Sequence, residues 1–131
     1  MKRILGIDLG TKRLGFALGE PVTGMAVPLD VVELNGQDPV QLVADMVRED
    51  GYDFIVMGEA RTADGEATPM SERAAAFAKE LQDATGVTVA LVNEHLTSRA
   101  SDTLAEEAGR SRHDDALAAM LIVQEFLNER P

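Results

Sequence analysis

Apolar and polar positions fall into blocks along the chain, and each block has the period of a strand or of a helix. Residues 3–8, "RILGID", read as a buried strand that stops at Asp8. "RLGFALGE" (13–20) and "GMAVPLDVVEL" (24–34) read as two further strands, with "EPVTG" as the turn between them. Asp38-Pro39 then opens a helix. The Asp side chain suits a cap, Pro suits the first helical position, and Val40, Leu42, Val43, Met46 and Val47 form an apolar stripe. "DFIVMG" (53–58) is short and wholly apolar, as in a buried parallel strand. "EARTADGEATP" reads as a loop, after which Thr68-Pro69 starts a helix to about Ala84 that Gly86 closes. "VTVALVN" (87–93) is another buried strand. Ser98 caps a short helix to Gly109, and a last helix runs from about His113 to Glu129.

No repeat, linker or low-complexity tract interrupts this order, so residues 1–131 are expected to form a single domain. Three strands followed by helix, strand, helix, strand, helix, helix predict an α/β fold. Its sheet is mixed and five-stranded: a meander comes first, then β-α-β units whose strands pair in parallel. That is the order of the ribonuclease H-like fold, and equally of one half of an actin-type ATPase. Topology alone does not choose between them.

Composition narrows the classes. A hydrophobic content of 45 % and a charged content of 27 % are ordinary for a globular protein. No apolar run reaches the length of a membrane span and no signal peptide is visible, so no membrane partner is expected. Cysteine is absent, which excludes thiolate metal sites and fits a cytoplasmic protein. The net charge of −11 argues against tight, non-specific binding to a duplex. No Lys or Arg occurs between Leu14 and Val47, whereas Lys12, Arg13, Arg61, Arg73, Arg99, Arg110 and Arg112 stand close to the loops that carry the candidate chemistry. A small basic patch on an acidic body follows.

Three acidic residues stand where chemistry could use them: Asp8 at the end of the first strand, Glu94 in "VNEHLTS" after the last strand, and Asp115 in the first turn of the last helix. Were the first and last parallel strands neighbours, Asp8 and Glu94 would project from the same end of the sheet. Two carboxylates about 4 Å apart repel by roughly 4 kcal/mol at an effective dielectric near 20, so a divalent cation is needed to hold three together. Oxygen ligands without Cys suit Mg²⁺ or Mn²⁺. Two such ions could activate water and stabilise the leaving oxygen of a phosphodiester. Ordinary alternatives stand beside each residue. Asp114 or Asp115 could face the helix dipole, Glu94 could be a solvated loop residue, and Gly6, Gly10 and Gly15 could be turn and bulge residues. A charge at the end of a buried strand, as at Asp8, still needs a partner. His95 is a weak ligand candidate, and His113 reads as part of a helix start rather than a metal site.

Taken together, "GIDLGTKRLGFALGE", the "DG" loop after the fourth strand, "NEHLTS" after the fifth and the terminal "DALAAMLIVQEFL" resemble the YqgF/RuvX family over nearly the whole chain. Members of that family have a ribonuclease H-like fold and are described as Holliday-junction resolvases or pre-16S ribosomal RNA nucleases. The resemblance carries the family's catalytic aspartate onto Asp8, its glutamate onto Glu94 and its last aspartate onto Asp115, ahead of Ala118, Ala119, Ile122 and Gln124. Asp114 competes for the third place but shifts the alanines out of register. Four features depart from the family pattern. Asn93 and His95 replace the usual Asp and Arg, Glu66-Ala67-Thr68 replaces Glu-Gly after "DG", and "AGRSRHD" is short and poor in lysine.

The resemblance implies a metal-dependent nuclease. Asp8, Glu94 and Asp115 would hold Mg²⁺ or Mn²⁺, while Thr11, Lys12, Arg13, Arg73 and Arg99 would contact the backbone of a nucleic acid. A kinase or actin-type ATPase is expected to need a chain more than twice as long and a second phosphate loop, and it leaves Glu94 and Asp115 unused. RNA is the favoured substrate because the basic surface is small. A junction resolvase is the alternative, and its two symmetric cuts would require a homodimer. A non-enzymatic module docking on a ribosomal or transcription partner is the rival from another class.

Overall fold

The computed structural model describes residues 2–10, 12–59, 69–93 and 112–129. Its elements are β1 (Ile4–Leu9), β2 (Arg13–Glu20), β3 (Met25–Glu33), α1 (Pro39–Asp50), β4 (Phe54–Glu59), α2 (Pro69–Thr85), β5 (Val89–Asn93) and α3 (Arg112–Glu129). The short helix expected over residues 98–109 lies outside the described residues.

The five strands form one sheet in the order β3-β2-β1-β4-β5. The β1–β2 and β2–β3 pairs are antiparallel, and β1–β4 and β4–β5 are parallel. The expected meander and parallel half are therefore both present. The first and last parallel strands are not neighbours, however, because β4, apolar from Phe54 to Gly58, sits between them. All three parallel strands still present their carboxyl ends on one edge of the layer.

Strand alternation sends side chains to two helical layers. Leu5, Ile7, Leu9, Phe16, Ile55 and Met57 pack with Val43 and Val47 of α1 and with Phe77 and Leu81 of α2. Ile4, Ala17, Val56 and Val92 face α3 through Ala119, Ile122 and Val123. Local chemistry sets the helix ends. Asp38 accepts the Val40 N–H at 3.0 Å, Pro39 fills the first helical position, and Gly51 closes α1 with φ +72°. At the opposite end from Asp8, the Asp53 carboxylate accepts the backbone N–H groups of Lys2 and Arg3, which ties the start of β1 to β4.

β3 is an edge strand and carries the exposed side chains Met25, Val27 and Leu29. Its edge is blunted. Pro28 has no N–H, the register shifts opposite Phe16/Ala17, and the Ala26 N–H donates to Gln124 Oε1 of α3 at 3.2 Å. Gln124 Nε2 donates in turn to the Gly24 carbonyl at 2.9 Å, so one side chain fastens α3 to the β2–β3 turn.

Glu125, the next residue of α3, is less well served. Its Oε2 is buried with no hydrogen-bond partner among the described residues, and burial, with Glu129 close by, pushes its carboxyl above the ordinary glutamate range. A raised folded-state value means that the ionisation penalty is absent while the carboxyl is protonated and opposes folding as pH rises through its titration. Glu125→Gln is expected to melt higher than the wild type at pH 7. The difference should close below the ordinary glutamate value of about 4.3, which thermal melts across pH 3.5–7.5 would check.

Candidate active site

The site builds outward from Asp8, the penultimate residue of β1, which is half-buried. Asp8 pairs with Gly15 on β2, and one step beyond the Ile7–Met57 pair it stands level with Gly58 on β4. Neither lateral neighbour has a side chain, which leaves room over Asp8 on its face of the sheet. Alternation along β1 puts Ile4, Gly6 and Asp8 on the side covered by α3.

Glycines set how closely α3 approaches that face. A Cβ at Gly6 would overlap the Val123 side chain and lie 3.1 Å from the Ala119 carbonyl oxygen. A Cβ at Gly19, level with Ile4, would also overlap Val123 and lie 3.6 Å from Leu127 Cδ1. From the level of Ile4 to Gly6, then, the facing helix positions step back one turn, from Val123 and Leu127 to Ala119 and Val123, and α3 runs antiparallel to β1. Two strand residues advance about 6.7 Å and one helical turn about 5.4 Å. Continuing from Gly6 to Asp8 therefore goes back about one turn from Ala119.

Position 115 is four residues before Ala119 and shares its stripe with Ala119 and Val123. Position 114 belongs instead to the row of half-buried Ala118 and exposed Leu121. Helical spacing thus puts position 115, and not position 114, on the stripe of Ala119 and Val123 that faces β1. The side chains of His113, Asp114 and Asp115 lie outside the described set, as does Glu94, which follows the last residue of β5.

The cationic candidates divide. Thr11 and Arg99 lie outside the described residues. Lys12 is exposed in the β1–β2 turn, and Arg13 opens β2 half-buried, opposite Glu33. Arg73 lies on α2 and is half-buried; its Nη1 donates to the Gly10 carbonyl at 2.8 Å. The three glycines singled out from the sequence also divide. Gly10 does sit in the turn, where its N–H donates to the Arg13 carbonyl at 3.1 Å. Gly6 and Gly15 are mid-strand residues, not turn or bulge positions. What sequence reasoning did not find is the role of Gly6 and Gly19 in seating α3. The available signal was a pair of glycines in strands otherwise rich in Leu, Ile and Phe.

The sequence profile of RuvX, described as Holliday junction resolvase, matches residues 2–129. The chain belongs to the RuvX family. A RuvX relative from Pelotomaculum thermopropionicum, named "Putative pre-16S rRNA nuclease", is 38 % identical over 98 % of this chain and 88 % of its own length. One of the same name from Bacillus subtilis is 32 % identical over 96 % of this chain and 97 % of its own. Among solved structures, Thermus thermophilus RuvC in complex with a Holliday junction aligns with TM-score 0.60 at 19 % identity, covering 98 % of each chain. RuvC from the same organism alone aligns at TM-score 0.54 and 17 % identity, covering 92 % of each. The RuvX fold here is accordingly ribonuclease H-like. Membership of this nuclease family makes the chain a hydrolase of phosphodiester bonds, with nucleic acid as its substrate class.

Proposed function

We propose that this is a metal-dependent ribonuclease of the pre-16S ribosomal RNA processing kind, acting as one domain over residues 1–131 in the cytoplasm. The observation that supports the reading is Asp8 at the carboxyl end of β1, on the sheet face covered by α3, whose stripe of Ala119 and Val123 includes position 115. In sequence Glu94 follows Asn93, the last residue of β5.

The donor set fits a hard cation. Asp8, Glu94 and Asp115 offer only carboxylate oxygens, and glycine on both sides of Asp8 leaves space for a coordination sphere. These three residues would hold one or two Mg²⁺ or Mn²⁺ ions, which when bound make water a nucleophile at neutral pH and offset charge on the phosphate. The chain's own part is placement. The β1–β2 turn, which follows the strand that carries Asp8, exposes Lys12, and Thr11, Arg13 and Arg99 would complete a short phosphate-contacting set.

Supporting RNA as substrate are the names of relatives that are 32–38 % identical over nearly their whole length. The charge distribution agrees: residues 14–47 carry no base, so little basic surface is left to grip a four-way junction. Junction cleavage is the second reading, favoured by the description of the matching family, and it would require a homodimer.

A side-by-side assay with Mg²⁺ or Mn²⁺ tests the choice. It would use a structured ribosomal RNA precursor, single-stranded RNA and a four-way DNA junction at equal concentration. Preferential cleavage of the precursor is expected. Symmetric cutting of the junction by a dimer would replace this reading with the second, and inertness on all three would leave a binding module.

A further inference from the structure

The β1–β2 connection is tied down at both of its described carbonyls. Only residues 10–12 separate β1 from β2. A Cβ at Gly10 would lie 2.5 Å from the Arg13 carbonyl oxygen, which is backbone and cannot give way, so the turn closes only with glycine there. The Lys12 carbonyl accepts the Leu34 N–H at 2.9 Å, which joins the turn to the end of β3. The Gly10 carbonyl is partly buried and accepts from Arg73 Nη1 at 2.8 Å, across 63 residues of sequence.

Arg73 reaches this carbonyl from the opposite layer. It belongs to α2, whose Ala74, Phe77, Ala78 and Leu81 pack on the Leu5, Ile7 and Leu9 side of β1, whereas Asp8 is on the α3 side. Its guanidinium is half-buried and engaged with backbone two residues beyond Asp8. A charged donor on a carbonyl makes a stronger hydrogen bond than a neutral one, and the planar fork has a fixed direction. Such a contact orients the turn rather than a mobile ligand.

We propose that Arg73 is a positioning residue that holds the Gly10–Lys12 turn from beneath, and so sets where Lys12 meets the substrate relative to Asp8, instead of binding phosphate itself. The proposal rests on the nuclease reading for its effect on turnover. Its structural half, that Arg73 holds the turn, can be measured without activity.

The test compares wild type, Arg73→Ala and Arg73→Lys, with Lys12→Ala as the phosphate-contact reference. Each is first checked for an intact melt, and Arg73→Lys keeps the comparison usable if the alanine variant folds poorly. Amide hydrogen exchange at Gly10 and Leu34 should speed up in both Arg73 variants while the α1 and β4 amides stay as in wild type. On a single-stranded RNA substrate kcat should fall by about 10- to 100-fold with KM nearly unchanged, since misplacement by about 1 Å costs up to about 10²-fold. The slope of log K against log[salt] should stay at the wild-type value for Arg73→Ala, and drop by about 0.7 for Lys12→Ala.

Unchanged exchange at Gly10 and Leu34 would overturn the proposal whatever the activity. So would a salt slope reduced in Arg73→Ala by as much as in Lys12→Ala with kcat preserved. Wild-type protein that cleaves nothing would count against the nuclease reading alone, and exchange would still decide whether Arg73 holds the turn.

Discussion

Asp8→Asn is expected to lower metal-dependent cleavage by at least about 10³-fold, which is roughly 4 kcal/mol of barrier. Asparagine keeps the size and the half-buried place between Gly15 and Gly58 but brings no charge to a cation. The same variant should behave oppositely in stability. Without metal, removing one carboxylate from the proposed three-carboxylate group would relieve repulsion, so the melting temperature should match or exceed that of the wild type. With Mn²⁺ at about 100 times its Kd, the wild type should gain about 2.7 kcal/mol, on the order of 10 °C for a chain of this size, and Asp8→Asn should gain little. Thermal melts with and without Mn²⁺, run beside the cleavage assay, check both effects. Lost stability in the metal-free variant would mean that Asp8 acts through structure and not through charge.

Gly6→Val is expected to produce the largest loss of stability. The new Cβ would occupy the space of the Val123 side chain and press on the Ala119 carbonyl, and the branched methyls need still more room. Overpacking commonly costs about 1–3 kcal/mol where side chains can adjust. Here one obstacle is helix backbone, so a loss above about 3 kcal/mol is expected, a large part of a total near 5–15 kcal/mol. Urea unfolding would measure it. Gly6→Ala should be milder and more informative. It pushes α3 outward while the fold survives, and it carries position 115 away from Asp8. Its cleavage rate should therefore fall at temperatures where it is fully folded. A destabilised but fully active Gly6→Ala would show that the distance from α3 to β1 is not set by this contact.

Much of this was legible in the chain. Asp38-Pro39 and Gly86 punctuate helices by local chemistry that needs no tertiary partner, and α1 starts and α2 ends where those residues stand. β4 was readable because a wholly apolar run suits a strand covered on both faces. Less legible was anything decided by packing between distant segments. The sheet order could not be read, because β1 and β5 are equally apolar and only pairing energies put β4 between them. Asp114 and Asp115 are adjacent acids that differ only in which one shares a stripe with Ala119 and Val123. Arg73 looks from sequence like any charged residue in a helix, and only the fold brings it to the Gly10 carbonyl.

Carboxylates at positions 8 and 115 are proposed to act together at one metal-dependent hydrolytic site. The most direct measurement is the cleavage rate of a ribosomal RNA precursor in Mn²⁺ for wild type, Asp8→Asn, Asp115→Asn and Asp114→Asn. Near-complete loss is expected in Asp8→Asn and in Asp115→Asn, with Asp114→Asn close to wild type. Wild-type rates in Asp8→Asn, or loss in Asp114→Asn with Asp115→Asn unaffected, would contradict it.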